Sequence, residues 1–159
     1  SPIGTLLDKL GVTDLSGFLD KTAFTIPLSG ERPVIYTPWK PAGPTPWVSQ
    51  IERLAHEIQH CIQAKKDSNW LKKYLTDFSF RTKQEIEAYH TSAEVYHWLR
   101  GEVPPISRYG NLSSYFLRPT DKAVFRTGLL TRMQPLMTSG AYATEAGKFA
   151  INYLKGTTK

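Results

Sequence analysis

His56-Glu57-Ile58-Gln59-His60 lies within a stretch whose apolar residues recur at helical spacing, and this pentad restricts the chain more than any other feature. Trp47, Ile51, Leu54, Ala55, Ile58, Cys61 and Ile62 return at three- and four-residue intervals. That pattern predicts an amphipathic helix over about residues 46–66, with Thr45 as its cap and Pro46 in the first turn. Four residues separate the histidines, just over one turn, so both imidazoles share a face and can share one tetrahedral zinc. Glu57, next to the first histidine, is then placed to act on a water as general base. With Ile58 at the centre of the apolar stripe, His56 and His60 fall about 160° to either side, opposite the expected core face. Two readings follow: a solvated pair of histidines, or a helix that floors a cleft and takes its third ligand from another element.

Such a ligand follows in Arg81-Thr82-Lys83-Gln84-Glu85-Ile86-Glu87-Ala88-Tyr89, where a second helix is expected to start. Glu85 shares a face with Ala88, Tyr89, Ser92 and Tyr96, a small and aromatic surface suited to close helix packing. Glu87 projects with His90 and Glu94, which reads as a solvated side. Glu85 is therefore the favoured third ligand and Glu87 the second choice, with His90 and His97 as further alternatives on the same helix. Thr82 and Glu85 also match a capping box, which would give Glu85 a purely structural role. Cys61 falls on the apolar stripe and reads as a buried small hydrophobe, not a ligand.

With these residues, the chain resembles the gluzincin metallopeptidases over about residues 33–97. In that group an HExxH helix is followed by a glutamate ligand on a second helix, and Glu85-Ile86-Glu87-Ala88-Tyr89 looks like the Glu-x-x-Ala-Asp or Glu-x-x-Ala-Asn signature of small bacterial or phage-like members. The resemblance implies Zn2+ held by His56, His60 and Glu85. Tyr89 stands where relatives commonly carry Asp or Asn to support a ligand histidine, a task a phenol can also perform. Metzincins are excluded, because their glycine and third histidine would occupy the positions of Gln63 and Lys66.

Around this centre the expected architecture is α+β: a mostly helical, zincin-like domain with a small sheet. The 159 residues, 40% of them hydrophobic, suffice for one domain with its own core. Residues 1–32 are expected as an N-terminal helical cover, 33–100 as the zinc-site core, and 101–159 as a long connection and C-terminal helices near 120–136 and 139–155. Pro33-Val34-Ile35-Tyr36-Thr37 reads as a strand near a sheet edge. The resemblance implies that such a strand pairs its backbone with an extended peptide substrate. Four prolines and Trp39 make residues 37–46 an expected ordered loop at the cleft rim.

The net charge of +6 raises a different class of partner. Lys65, Lys66, Lys72, Lys73, Arg81 and Lys83 surround Trp70 and Tyr74, and basic residues with exposed aromatics can hold nucleic acid. These charges are spread and mixed with Asp67 and Asp77, so a solvated basic surface, or attraction to an anionic partner such as cell-wall material, is the stronger reading. No apolar run reaches the ~18 residues of a membrane span, no secretory segment stands at the start, and location stays open. A single cysteine excludes an internal disulfide framework.

The sequence thus predicts a zinc metallopeptidase acting on a protein or peptide, with Glu57 as general base. Tyr89, Tyr96, His97, Arg108, Tyr109 and Tyr115 are candidates for the oxyanion-stabilising group, and Tyr109, in the long connection, is the one chosen. The alternatives are an inactive zinc-binding relative and a basic binding module.

Overall fold

The computed structural model describes residues 23–26, 33–38, 46–110 and 117–157. They form strands β1 (Phe24–Ile26) and β2 (Val34–Tyr36), then helices α1 (Trp47–Lys66), α2 (Trp70–Thr76), α3 (Phe78–Arg100), α4 (Ser107–Gly110), α5 (Pro119–Ser139) and α6 (Glu145–Thr157). The architecture is mostly helical with one small antiparallel sheet, in which Thr25 pairs with Ile35 and Ile26 with Val34. Both strands lie against α1, and α3 packs against α1, α5 and α6. Residues 24–26 are a strand where a helical cover was expected; the remainder of that expected cover, Thr45, residues 39–45 and Tyr115 lie outside the described residues.

The apolar core sits between α3 and α5, where Ile86, Tyr89 and Ala93 meet Phe125, Leu129, Met133 and Leu136, with Tyr109 and Leu117 closing it. The interface between α1 and α3 is polar instead. Glu52, His56, Gln59, His60 and Gln63 are all buried on the α1 face turned to α3, whereas Trp47 and Leu54 of the apolar stripe are exposed. The histidine face of α1 is thus covered by a second element, while the stripe is buried only in part, at Ala55. The polar side chains of α1 are buried because other elements supply partners for them: Thr91 Oγ1 of α3 donates to Gln59 Oε1 at 3.4 Å, Gln63 Nε2 donates to Glu87 Oε2 of α3 at 2.8 Å, and Tyr109 Oη of α4 donates to Glu52 Oε1 at 2.9 Å.

The helix boundaries also differ from expectation, for local reasons. Pro46 itself occupies the cap position of α1, with no side-chain cap. Asp77 caps α3, its carboxylate accepting from Phe80 N at 2.9 Å. Thr82 is therefore a helix-interior residue that bonds back to Phe78 O, and Glu85 lies in the third turn. No capping box exists there. Gly101 ends α3 and Gly140 ends α5, both in the left-handed conformation that glycine adopts without Cβ strain.

His90 and Glu94 are buried, not solvated, at 2% and 0% exposure. The segment that leads into α6 meets Glu94. Glu94 accepts from Ala143 N at 2.5 Å, Thr144 N at 3.2 Å and Thr144 Oγ1 at 2.6 Å, so one buried carboxylate caps α6 from α3. Among the described residues no helix is long and apolar enough to cross a membrane.

Candidate metal centre

The spacing of the two histidines on α1 puts their rings edge to face, with centroids 4.8 Å apart. Their Nε2 atoms are 3.2 Å from each other. Opposite them, α3 approaches α1 closely because Ala88 and Ser92 face it, and this brings Glu85 down between the imidazoles. Glu85 Oε1 lies 3.2 Å from His60 Nε2 and Oε2 lies 3.3 Å from His56 Nε2. The three side chains are buried and form the one such metal-capable group among the described residues.

The dimensions of this triangle test whether a metal fits. Zinc bonds of 2.0–2.1 Å in tetrahedral geometry hold ligand atoms about 3.3 to 3.4 Å apart. The two Nε2 atoms, 3.2 Å apart, match that spacing. Glu85 meets the histidines through different oxygens, and with one ligand atom taken from each residue the three lie within 4.8 Å of one another, so a small turn of the carboxylate would complete the set. The donor chemistry matches too, since two imidazoles and a carboxylate form a common open zinc set. Glu87, His90 and His97 are not brought to the triangle. Glu87 pairs with Gln63 and lies 3.7 Å from Arg132, His97 Nδ1 lies 3.1 Å from Tyr142 Oη, and His90 sits 3.2 Å from Glu94 without hydrogen-bond alignment.

A shell of further side chains surrounds the triangle. Tyr74 of α2 donates to Glu85 Oε1, and its ring stacks on Trp70 at 4.7 Å. Both rings face His60, at 5.8 and 5.5 Å between centroids. The aromatics expected as exposed members of a basic patch are thus buried beside a ligand histidine. Tyr89 packs edge to face on His56 at 4.4 Å, and Gln63 Oε1 lies 2.8 Å from His60 Nδ1.

Charge in this shell is strongly coupled. Burial alone would lower the His60 pKa, but the Glu85 charge and hydrogen bond, then Glu57 and Gln63, raise it to about 9. For Glu85, burial opposes ionisation, yet the two histidines hold its carboxyl well below the usual range. Burial and the Glu85 charge push the phenols of Tyr74 and Tyr89 well up, so both stay protonated.

Glu57 points toward β1, buried, with Oε2 accepting from Thr25 Oγ1 at 2.6 Å. It is next in sequence to His56 on α1, and its charge helps raise the pKa of His60, Tyr74 and Tyr89. Comparison finds no protein family, no curated protein and no solved structure that matches this chain. Geometry and chemistry therefore carry the functional argument alone.

Tyr109 stands behind Tyr89, ring centroids 5.4 Å apart, with its hydroxyl donating to Glu52 Oε1 at 2.9 Å. Arg108 reaches the same carboxylate, at 2.5 Å from Nη2 to Oε2. Tyr96 lies under the Arg108 guanidinium. Cys61 is half-buried, outside the triangle, with its thiol pushed up by burial and by Glu57.

The sequence reading passed over Gln63 as a partner, although its position three residues after His60 puts it on the ligand face. It also passed over Thr25, Tyr74 and Glu52, whose partners are 11 to 57 residues away and reach them only in the folded chain.

Proposed function

We propose that the chain is a zinc-dependent hydrolase, and specifically a metallopeptidase of the gluzincin type. The observation that carries this reading is the buried group of His56, His60 and Glu85, two imidazoles and a carboxylate that offer one ligand atom each within 4.8 Å of one another. Zinc bound there supplies Lewis acidity, polarising a carbonyl and acidifying water. Glu57 takes the proton of the attacking water and passes it to the leaving amine. Thr25 holds Glu57 Oε2, which leaves Oε1 as the proton-accepting oxygen and fixes the carboxylate's direction. Tyr109, committed to Glu52, enters the reading as support for Tyr89.

A peptide substrate suits the sheet. Among the described residues the sheet has two strands, β1 and β2, and an extended peptide would join such a sheet by adding a strand to an edge. Val34 and Tyr36 are exposed on β2 and would flank the added backbone.

A second reading, zinc held without catalysis, is favoured by one observation: each of the three ligands is at most 8% exposed. One experiment separates the two. The purified protein is assayed for metal and for peptide hydrolysis as wild type, His56→Ala, Glu85→Ala, Glu87→Ala and Glu57→Gln. The peptidase reading expects about one zinc per chain, lost with His56 and Glu85 but kept with Glu87, and hydrolysis lost in Glu57→Gln with zinc retained. Zinc in the wild type with no hydrolysis of any peptide supports the second reading, and a wild type that binds no added zinc overturns both.

A further inference from the structure

Gln63 is buried on α1 and links His60 to α3. Its Nε2 group donates to Glu87 Oε2 at 2.8 Å and to Gln84 O at 3.1 Å, while its Oε1 lies 2.8 Å from His60 Nδ1. A carboxylate and a backbone carbonyl can only accept hydrogen bonds. Both partners at the far end of Gln63 therefore require its NH2 group, and the amide cannot turn over without losing two bonds. Its carbonyl oxygen is left facing His60. That oxygen is itself only an acceptor, so His60 Nδ1 must carry hydrogen. Nε2 faces the Glu85 carboxylate at 3.2 Å, which in the metal-free protein also favours a hydrogen there, so the Gln63 bond is what keeps a hydrogen on Nδ1 when the ring gives up one proton and leaves Nε2 free for a metal.

We propose that Glu87, acting through Gln63, is a positioning residue that fixes His60 in the Nδ1–H tautomer and so presents Nε2 to the metal. The carboxylate considered from sequence as a rival ligand thereby has a role two hydrogen bonds away from the centre. Arg132 on α5, 3.7 Å from Glu87 Oε1, keeps that carboxylate directed and ties the relay to a third helix. The link to metal binding rests on the zinc centre proposed above, whereas the tautomer assignment rests on the hydrogen bonds alone.

The test uses the full chain as wild type, Gln63→Leu, Glu87→Ala and the exchanged pair Gln63→Glu with Glu87→Gln. The exchange keeps the polarity of the relay: a carboxylate accepts from His60 Nδ1–H, and the new amide at 87 donates to that carboxylate. Two quantities are measured: Zn2+ affinity by competition with a chromophoric chelator, and the His60 tautomer by 15N-edited NMR of the metal-free protein with the imidazole neutral. The expected result is a fall in Zn2+ affinity of about 10- to 100-fold in Gln63→Leu, a smaller fall in Glu87→Ala, and recovery to within a few-fold of wild type in the exchanged pair. The Nδ1–H fraction should be higher in the wild type and exchanged pair than in Glu87→Ala, where the Glu85 carboxylate is left to draw the hydrogen to Nε2. Wild-type affinity in both single variants would overturn the proposal, as would an exchanged pair that folds but stays as weak as Gln63→Leu. Should Gln63→Leu not fold, Glu87→Ala and the exchanged pair decide the matter. A wild type that binds no Zn2+ sinks the metal centre, and the tautomer spectra then still judge the relay by themselves.

Discussion

Tyr74 on α2 donates its phenolic hydrogen to Glu85 on α3, the residue that also spans His56 and His60. Burial and the Glu85 charge keep the phenol protonated, so it remains a donor across the whole working pH range. Tyr74→Phe should leave the stacking on Trp70 intact and cost roughly tenfold or more in zinc affinity, the usual effect of losing an outer partner of a ligand. Metal-competition titration of the folded variant checks this, and unchanged affinity would show that the contact does not orient Glu85.

Glu52, one turn before His56, is buried with Arg108 and Tyr109 on its two oxygens. Glu52→Ala strips the buried Tyr109 hydroxyl of its acceptor and the guanidinium of its partner. The expected loss is about 2–4 kcal/mol in denaturant unfolding. Tyr109→Phe removes one donor only and should cost about 1 kcal/mol, with hydrolysis little changed. A large drop in turnover for Tyr109→Phe at unchanged stability would restore the oxyanion role expected from sequence.

The pH dependence of the metal-free protein follows from His60 and Glu85. His60 is raised in the folded state to about 9 from an ordinary 6.5, so its contribution to stability is complete below pH 6.5 and lost as pH rises through about 9. Glu85 is lowered, so its contribution is present above its ordinary 4.5 and lost on acidification below that value. Chelated protein should therefore melt several degrees lower at pH 9 than at pH 6. Zinc competes with the His60 proton, so zinc affinity should instead increase over the same range. Thermal melts with and without chelator test both signs, and a chelated Tm that rises toward pH 9 would contradict the His60–Glu85 pairing.

Two glycines of α6 make a contrast. A Cβ at Gly147 would press into Glu94 Oε2 and Thr144 Oγ1, whereas one at Gly156 meets nothing within 4 Å. Gly147→Ala should cost about 1–3 kcal/mol by displacing the carboxylate that caps α6. Gly156→Ala should be neutral or stabilise by up to about 1 kcal/mol. Equal melting temperatures for the two variants would mean that the Glu94 cap yields freely.

The sequence by itself determined the pairing of His56 with His60 and the preference for Glu85 over Glu87, because helical periodicity is a local property and four residues always return to one face. The β2 strand and the α5 and α6 helices were legible for the same reason, in β-branched runs and repeating apolar positions. The tertiary structure alone decided which side of α1 is buried. Hydrophobic periodicity assumes that water waits on the polar side, and here α3, α4 and the start of α6 wait there instead, satisfying Glu52, Gln59 and Gln63 with partners 21 to 87 residues distant. It also decided the insertion of Tyr74 beside Glu85, the capping of α6 by Glu94, and the commitment of Tyr109 to Glu52. A buried polar group is stable only once its partner arrives, and when that partner comes from another element, no window of sequence around the group contains it.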